Sequence, residues 1–114
     1  MIVETAYPWT SNNADSYTNV ISGLTGFGGY PVSPDGQLQF MKDLTQQVIT
    51  GGGSGVMYWE PAWITSSLKD QWGTGSSWEN NTFFDLFDSS IETLITLSSC
   101  TVTEIFFSGS ALPK

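Results

Sequence analysis

The sequence predicts an α/β fold built on a parallel sheet, and three observations predict it. Two short β-type runs, Ile2-Val3-Glu4-Thr5-Ala6-Tyr7-Pro8-Trp9 and Gly55-Val56-Met57-Tyr58-Trp59-Glu60-Pro61-Ala62-Trp63, each reach a Glu where the run ends and then a Pro and an indole. Between them lies one stretch of clear helical period. A strand, a crossover helix and a second strand make the two strands parallel, with both C-terminal ends at one rim.

The first strand opens with β-branched Ile2 and Val3 and reads as a parallel strand buried on both faces. Met1 is an odd place for such a strand to begin and reads as an internal methionine. Pro8 halts regular pairing. From Trp9 to Pro31 the chain is rich in Thr, Ser, Asn and Gly without strand or helix period, and reads as a long surface loop. Loops of that length in compact domains are usually functional.

Ser33-Pro34-Asp35-Gly36 starts the helix, with Ser at the N-cap, Pro at the first helical position and an acid in the first turn. Leu38, Met41, Leu44 and Val48 recur at helical spacing, Phe40 and Ile49 widen the stripe, and Gly51 closes a helix spanning 34–50. The run Gly51-Gly52-Gly53-Ser54-Gly55 turns the chain into the second strand. It is not a phosphate loop, since no Lys follows and no helix opens from it. Residues 64–82 read as a second rim loop, in which Trp72 and Trp78 pin the loop to the body. Phe87, Ile91, Leu94 and Ile95 have helical spacing, and Thr101 to Phe107 is ambiguous between strand and no structure.

Composition narrows the partners. Lys+Arg 3 against Asp+Glu 11 gives a net charge of −8, the wrong sign for nucleic acid or an anionic membrane. No run approaches the roughly 18 apolar residues of a membrane span, and Cys100 is alone. Hydrophobic content is only 39% while five Trp contribute to an aromatic share of 14%. Indoles in excess of core needs offer flat faces on which the C–H side of a sugar ring stacks, with carboxylates for its hydroxyls. Glu4 and Glu60, at strand C-termini, stand where both α/β barrels and open α/β sheets build their sites.

These motifs, together with Tyr30-Pro31 through Ser33-Pro34-Asp35-Gly36-Gln37 and Asp70-Gln71-Trp72-Gly73 through Phe83-Phe84-Asp85, resemble the C-terminal part of glycoside hydrolase family 53, the arabinogalactan endo-β-1,4-galactanases. The resemblance covers roughly residues 1–85, and residues 86–114 read as a divergent tail. It implies strands 7 and 8 of a (β/α)8 barrel, incomplete in this chain. In that family a nucleophile Glu ends strand 7 and an acid/base Glu, after an Asn, ends strand 4. Glu4 matches the nucleophile position, and Trp59 matches the strand-8 indole that floors the sugar site in related barrels. Glu60, Trp63, Tyr7 and Trp9 fall where neighbouring substrate contacts are expected.

The implied substrate is galactan or arabinogalactan, with the N-terminal barrel part as the missing partner. A polymer of that size implies a secreted, periplasmic or cell-surface enzyme. No cofactor is needed for the chemistry. Some relatives hold calcium with the last loop, where Ser76 and Glu79 offer two oxygens, far short of the six to eight that calcium takes; no metal residue is assigned. The other reading is a non-catalytic carbohydrate-binding module, for which a sandwich of many short alternating strands is the expected pattern.

Overall fold

In the computed structural model of the chain, which describes residues 1–63, 65–67, 69, 71, 73–84 and 105–107, the sheet is parallel and three-stranded. Strand β1 (Ile2–Thr5) pairs with β4 (Val56–Tyr58), and β4 pairs on its other side with β5 (Ile105–Phe107). The order is therefore β1-β4-β5, with β4 in the centre. The ambiguous segment near the C-terminus thus contains a strand, in register Val56 with Ile105 and Tyr58 with Phe107. The helical expectation for Phe87, Ile91, Leu94 and Ile95 lies outside the described residues, as does Trp72.

Helix α1 spans Pro34–Thr50, as its punctuation predicts. The Ser33 hydroxyl accepts from the Gly36 amide at 3.0 Å, satisfying one of the donors that a helix start leaves unpaired. At the other end the amides of Gly51 and Gly53 donate to the carbonyls of Gln47 and Val48. The packed face differs from the expected stripe. Gly36, Gln37, Met41 and Thr45 are its buried residues, Leu38, Phe40, Leu44 and Val48 are partly covered, and Ile49 is exposed. A hydrophobicity pattern cannot place Gln37 inside, because its burial depends on polar partners supplied by distant loops.

The core is small and sits between α1 and β4: Met41, Val56, Tyr58 and Phe83. The Tyr58 ring lies 4.5 Å from that of Phe83. Around the Tyr58 hydroxyl a polar hub ties four segments together. The Gln37 side-chain amide donates towards the carbonyls of Tyr7 at 2.9 Å and Asn81 at 3.0 Å and towards Tyr58 Oη at 3.0 Å. Tyr58 Oη accepts from the Tyr7 amide at 3.1 Å and donates within 2.6 Å of the Asn81 carbonyl. Every one of these groups would be costly if buried unpaired.

Two expectations are corrected. The first strand is not buried on both faces: Met1, Ile2 and Val3 are exposed, Val3 at 69%. Among the described residues β1 is flanked by β4, and the core of Met41, Val56, Tyr58 and Phe83 gathers on β4 rather than on β1. The segment from Trp9 to Pro31 is not structureless either. It contains an antiparallel hairpin of β2 (Gly26–Phe27) and β3 (Tyr30–Pro31). Gly28 and Gly29 both have positive φ, 63° and 91°, which a two-residue turn matched to strand twist requires.

Candidate functional site

Both carboxylates stand at the same rim. Thr5 is the register partner of Tyr58, and the Trp59 amide donates to the Thr5 carbonyl at 2.8 Å, so the ends of β1 and β4 lie side by side. Between Ile2 and Thr5 the register slips: three steps along β1 match two along β4. Glu4 falls inside that irregularity. Bulges of this kind re-aim side chains and recur beside active sites.

A cleft of about 800 Å³ opens at this rim, lined by Trp59, Glu60, Trp63 and Trp78 from the second half of the chain. Its opposite wall comes from Ser16, Tyr17, Thr18 and Val20, with Gly75 and Ser77 beside Trp78. The Trp59 and Trp78 rings meet edge to face, 6.2 Å apart at 78°, and the Trp59–Glu60 peptide bond is cis. Glu60 is 5% exposed. Burial pushes its carboxyl above the usual Glu range, because removing water penalises the charged form.

The expected site residues divide into three groups. Trp59, Glu60 and Trp63 come together in the cleft. Glu4 is exposed on the neighbouring strand end, outside the cleft's lining. Tyr7 and Trp9 stand behind the rim. Tyr7 is buried, stacks on Phe40 at 4.7 Å, donates from its hydroxyl to the Tyr30 carbonyl at 2.6 Å and accepts from the Phe27 amide at 3.1 Å. Its hydroxyl pins the hairpin to the end of β1. Trp9 is half-buried, and its amide donates to the Asn80 carbonyl at 2.9 Å.

Trp78, expected to pin its loop, packs edge to face on Trp59 and also lines the cleft. No local signal separates the two uses, since both need an aromatic in a Ser- and Gly-rich loop. The wall residues 16–18 and 20 were hidden for the same reason: only the fold brings that loop against residues 75–78.

Among the described residues, the carboxylate considered for calcium is already engaged. The Ser76 hydroxyl is buried without a protein partner, but the acidic oxygens around it already face donors. Glu79 accepts from the Ala14 amide at 2.5 Å and from the Thr65 hydroxyl. Asp15 accepts from the amides of Ser76 at 2.6 Å and Tyr17 at 2.7 Å. Among the described residues no three His, Cys, Asp or Glu side chains gather as a metal-binding group.

The model of glycosyl hydrolase family 53 matches residues 1–97 of the chain. An arabinogalactan endo-β-1,4-galactanase of Cellvibrio japonicus is 52% identical over 85 residues, covering 75% of this chain and 23% of that protein. An endo-β-1,4-galactanase of Bacillus subtilis is 35% identical over 91 residues, covering 71% of this chain and 21% of that protein. Among solved structures, the family 53 catalytic domain of Ignisphaera aggregans superposes with a TM-score of 0.71 at 33% identity, over 81% of this chain and 27% of that one. The chain thus spans about a quarter of the length of these relatives, and its parallel strands are part of a (β/α)8 barrel. A rim with a bulged Glu, a buried Glu and three indoles sits in a chain that belongs to glycosyl hydrolase family 53.

Proposed function

We propose that this chain forms the nucleophile and sugar-floor portion of an endo-β-1,4-galactanase acting by retention. The observation that carries this reading is the cleft, whose lining of three indoles and one buried carboxyl at the C-terminal rim of parallel strands suits a pyranose face and its hydroxyls. Glu4, in the bulge at the neighbouring strand end, is the proposed nucleophile. Trp59, Trp63 and Glu60 are the proposed sugar contacts. The parallel sheet counts against a sandwich-type binding module.

Retaining hydrolysis needs two carboxyls about 5 Å apart on either side of the scissile bond, one attacking the anomeric carbon and the other protonating the leaving oxygen. Glu60 has the raised pKa of an acid, but adjacent strands present their ends side by side rather than across a bond. We therefore assign Glu60 to a sugar hydroxyl and leave the acid/base role to another part of the complete galactanase. A polymeric substrate supports the reading of a secreted, periplasmic or cell-surface enzyme.

Incubating the purified chain with β-1,4-galactan and measuring reducing ends tests the division of roles. The expected result is no hydrolysis, with galacto-oligosaccharide binding that Trp59→Ala abolishes. Release of oligosaccharides that Glu4→Gln abolishes would show that the chain carries both catalytic groups.

A further inference from the structure

The two loops that wall the cleft are fastened to each other by carboxylates, and the fastening is reciprocal. From the first loop, Asp15 takes the amide of Ser76 at 2.6 Å in the second; from the second, Glu79 takes the amide of Ala14 at 2.5 Å in the first. Glu79 is 1% exposed, and its other oxygen accepts from the Thr65 hydroxyl. The Val20 amide donates to the Ser77 carbonyl at 2.9 Å, and the Asn80 side chain donates to the carbonyls of Ile21 at 2.8 Å and Thr10 at 3.2 Å. A side chain at Gly75 would meet Asp15 Oδ2 at 2.6 Å, so the loops close to backbone distance.

We propose that Asp15 and Glu79 are positioning residues whose reciprocal carboxylate–amide buckle sets the width of the cleft without a cation. Charge-assisted bonds of this kind are stronger than neutral ones, and a buried acceptor with two donors holds its geometry. A bridging calcium would need the same oxygens turned towards one point together with several more. Here they face N–H and O–H donors. The cleft residues Ser16, Tyr17 and Thr18 follow Asp15 directly, and Trp78 precedes Glu79, so loosening either acid moves a wall.

The edge-to-face pair of Trp59 and Trp78 reports the spacing without any sugar, so failure here and failure of the galactanase reading are separable. Near-UV circular dichroism of the full chain is compared with that of Trp78→Phe, which defines the contribution of the pair. Glu79→Gln and, separately, Asp15→Asn are expected to remove most of that contribution while the far-UV signal of α1 stays. Thr65→Ser keeps it, and Thr65→Val weakens it. Excess EDTA or millimolar calcium leaves the wild-type spectrum unchanged and the Tm within about 1 °C.

Three results would overturn the proposal: variants that retain the indole signal, variants that both lose the helix as well, or a Tm that calcium raises by roughly 5 °C. The first two deny the acids a specific positioning role. The third puts a cation in the buckle.

Discussion

Strands β1 and β4 are neighbours in one sheet, each ends near a Glu, and their environments are opposite. On β4, Val56 and Tyr58 are buried, and Glu60 beyond it is nearly so. On β1, Ile2, Val3 and Glu4 are exposed. Residue type does not produce the difference, since each strand carries β-branched residues (Ile2, Val3 and Thr5; Val56) and both lead into Pro and Trp. Position among the described residues does: β4 is paired on both sides and packs with Met41 of α1 and Phe83, whereas β1 is paired there with β4 alone. Strand β4 therefore carries the core, and β1 presents a carboxylate at a register irregularity.

The sharpest way to break this comparison is Tyr58→Ala. It removes a fully buried ring packed on Phe83 together with the hydroxyl at the centre of the hub. Large aromatic truncations in cores cost about 3–5 kcal/mol. We expect a loss near the top of that range, read as a fall in the urea midpoint. A loss below about 1 kcal/mol would mean that β4 is not the centre of the cooperative unit.

Gln37→Leu comes next. The volume is nearly kept, but the carbonyls of Tyr7 and Asn81 lose the Gln37 donor and are left to share the single proton of Tyr58 Oη. Leaving buried acceptors unsatisfied costs about 1–3 kcal/mol, so a loss of about 2 kcal/mol is expected. Gln37→Glu sharpens the result, because a carboxylate facing the same carbonyls should be worse than Leu at neutral pH. If Leu were neutral, the hub would be an accident of packing rather than the tie between α1 and the rim.

Glu60 gives a pH-dependent test. Its folded pKa is raised by burial, so the folded chain holds this proton more tightly than the unfolded one. The stability that protonation contributes is fully present below the unfolded pKa of about 4.3 and is lost as pH rises through the folded value. Glu60→Gln keeps the shape without the charge. Urea titrations should give the variant the higher midpoint at pH 7 and no advantage at the acid end. Equal midpoints at both pH values would show that the carboxyl is solvated and the cleft more open than its lining suggests.

The same contrast explains what was legible in the sequence. The helix from Pro34 to Thr50 could be read because its signals are local: a Ser cap, a Pro, an apolar period and glycines. Parallel pairing of the two Glu-bearing strands followed from one crossover. The buried Gln37, the hairpin and the cleft wall could not be read from period alone. Gln37 is inside because Tyr7, Tyr58 and Asn81 converge on it from 30, 21 and 44 residues away. The hairpin did have a local signal, the Gly28-Gly29 pair between Phe27 and Tyr30, masked by the surrounding Thr, Ser and Asn. Trp78 and residues 16–18 are brought together by long-range bonds between their loops, the carboxylate fastening and the Val20–Ser77 backbone bond among them. The exposure of Val3 could not be read from residue type, because burial of a strand's faces depends on what packs over them.

The smallest expected effect is also on β1. Val3→Ala removes two methyl groups from a side chain that is 69% exposed, and surface substitutions of this kind usually stay within about 0.5 kcal/mol. Among the described residues the far edge of β1 is unpaired, and with exposed Met1, Ile2 and Val3 it forms a surface suited to pairing with another chain. The two outcomes are separated by concentration. If the chain is monomeric in sedimentation, Val3→Ala should leave the urea midpoint unchanged at every concentration. If it self-associates through this edge, the midpoint should rise with concentration for the wild type and less for the variant. A clear loss at high dilution would require Val3 to be covered within a single chain, contradicting its exposure.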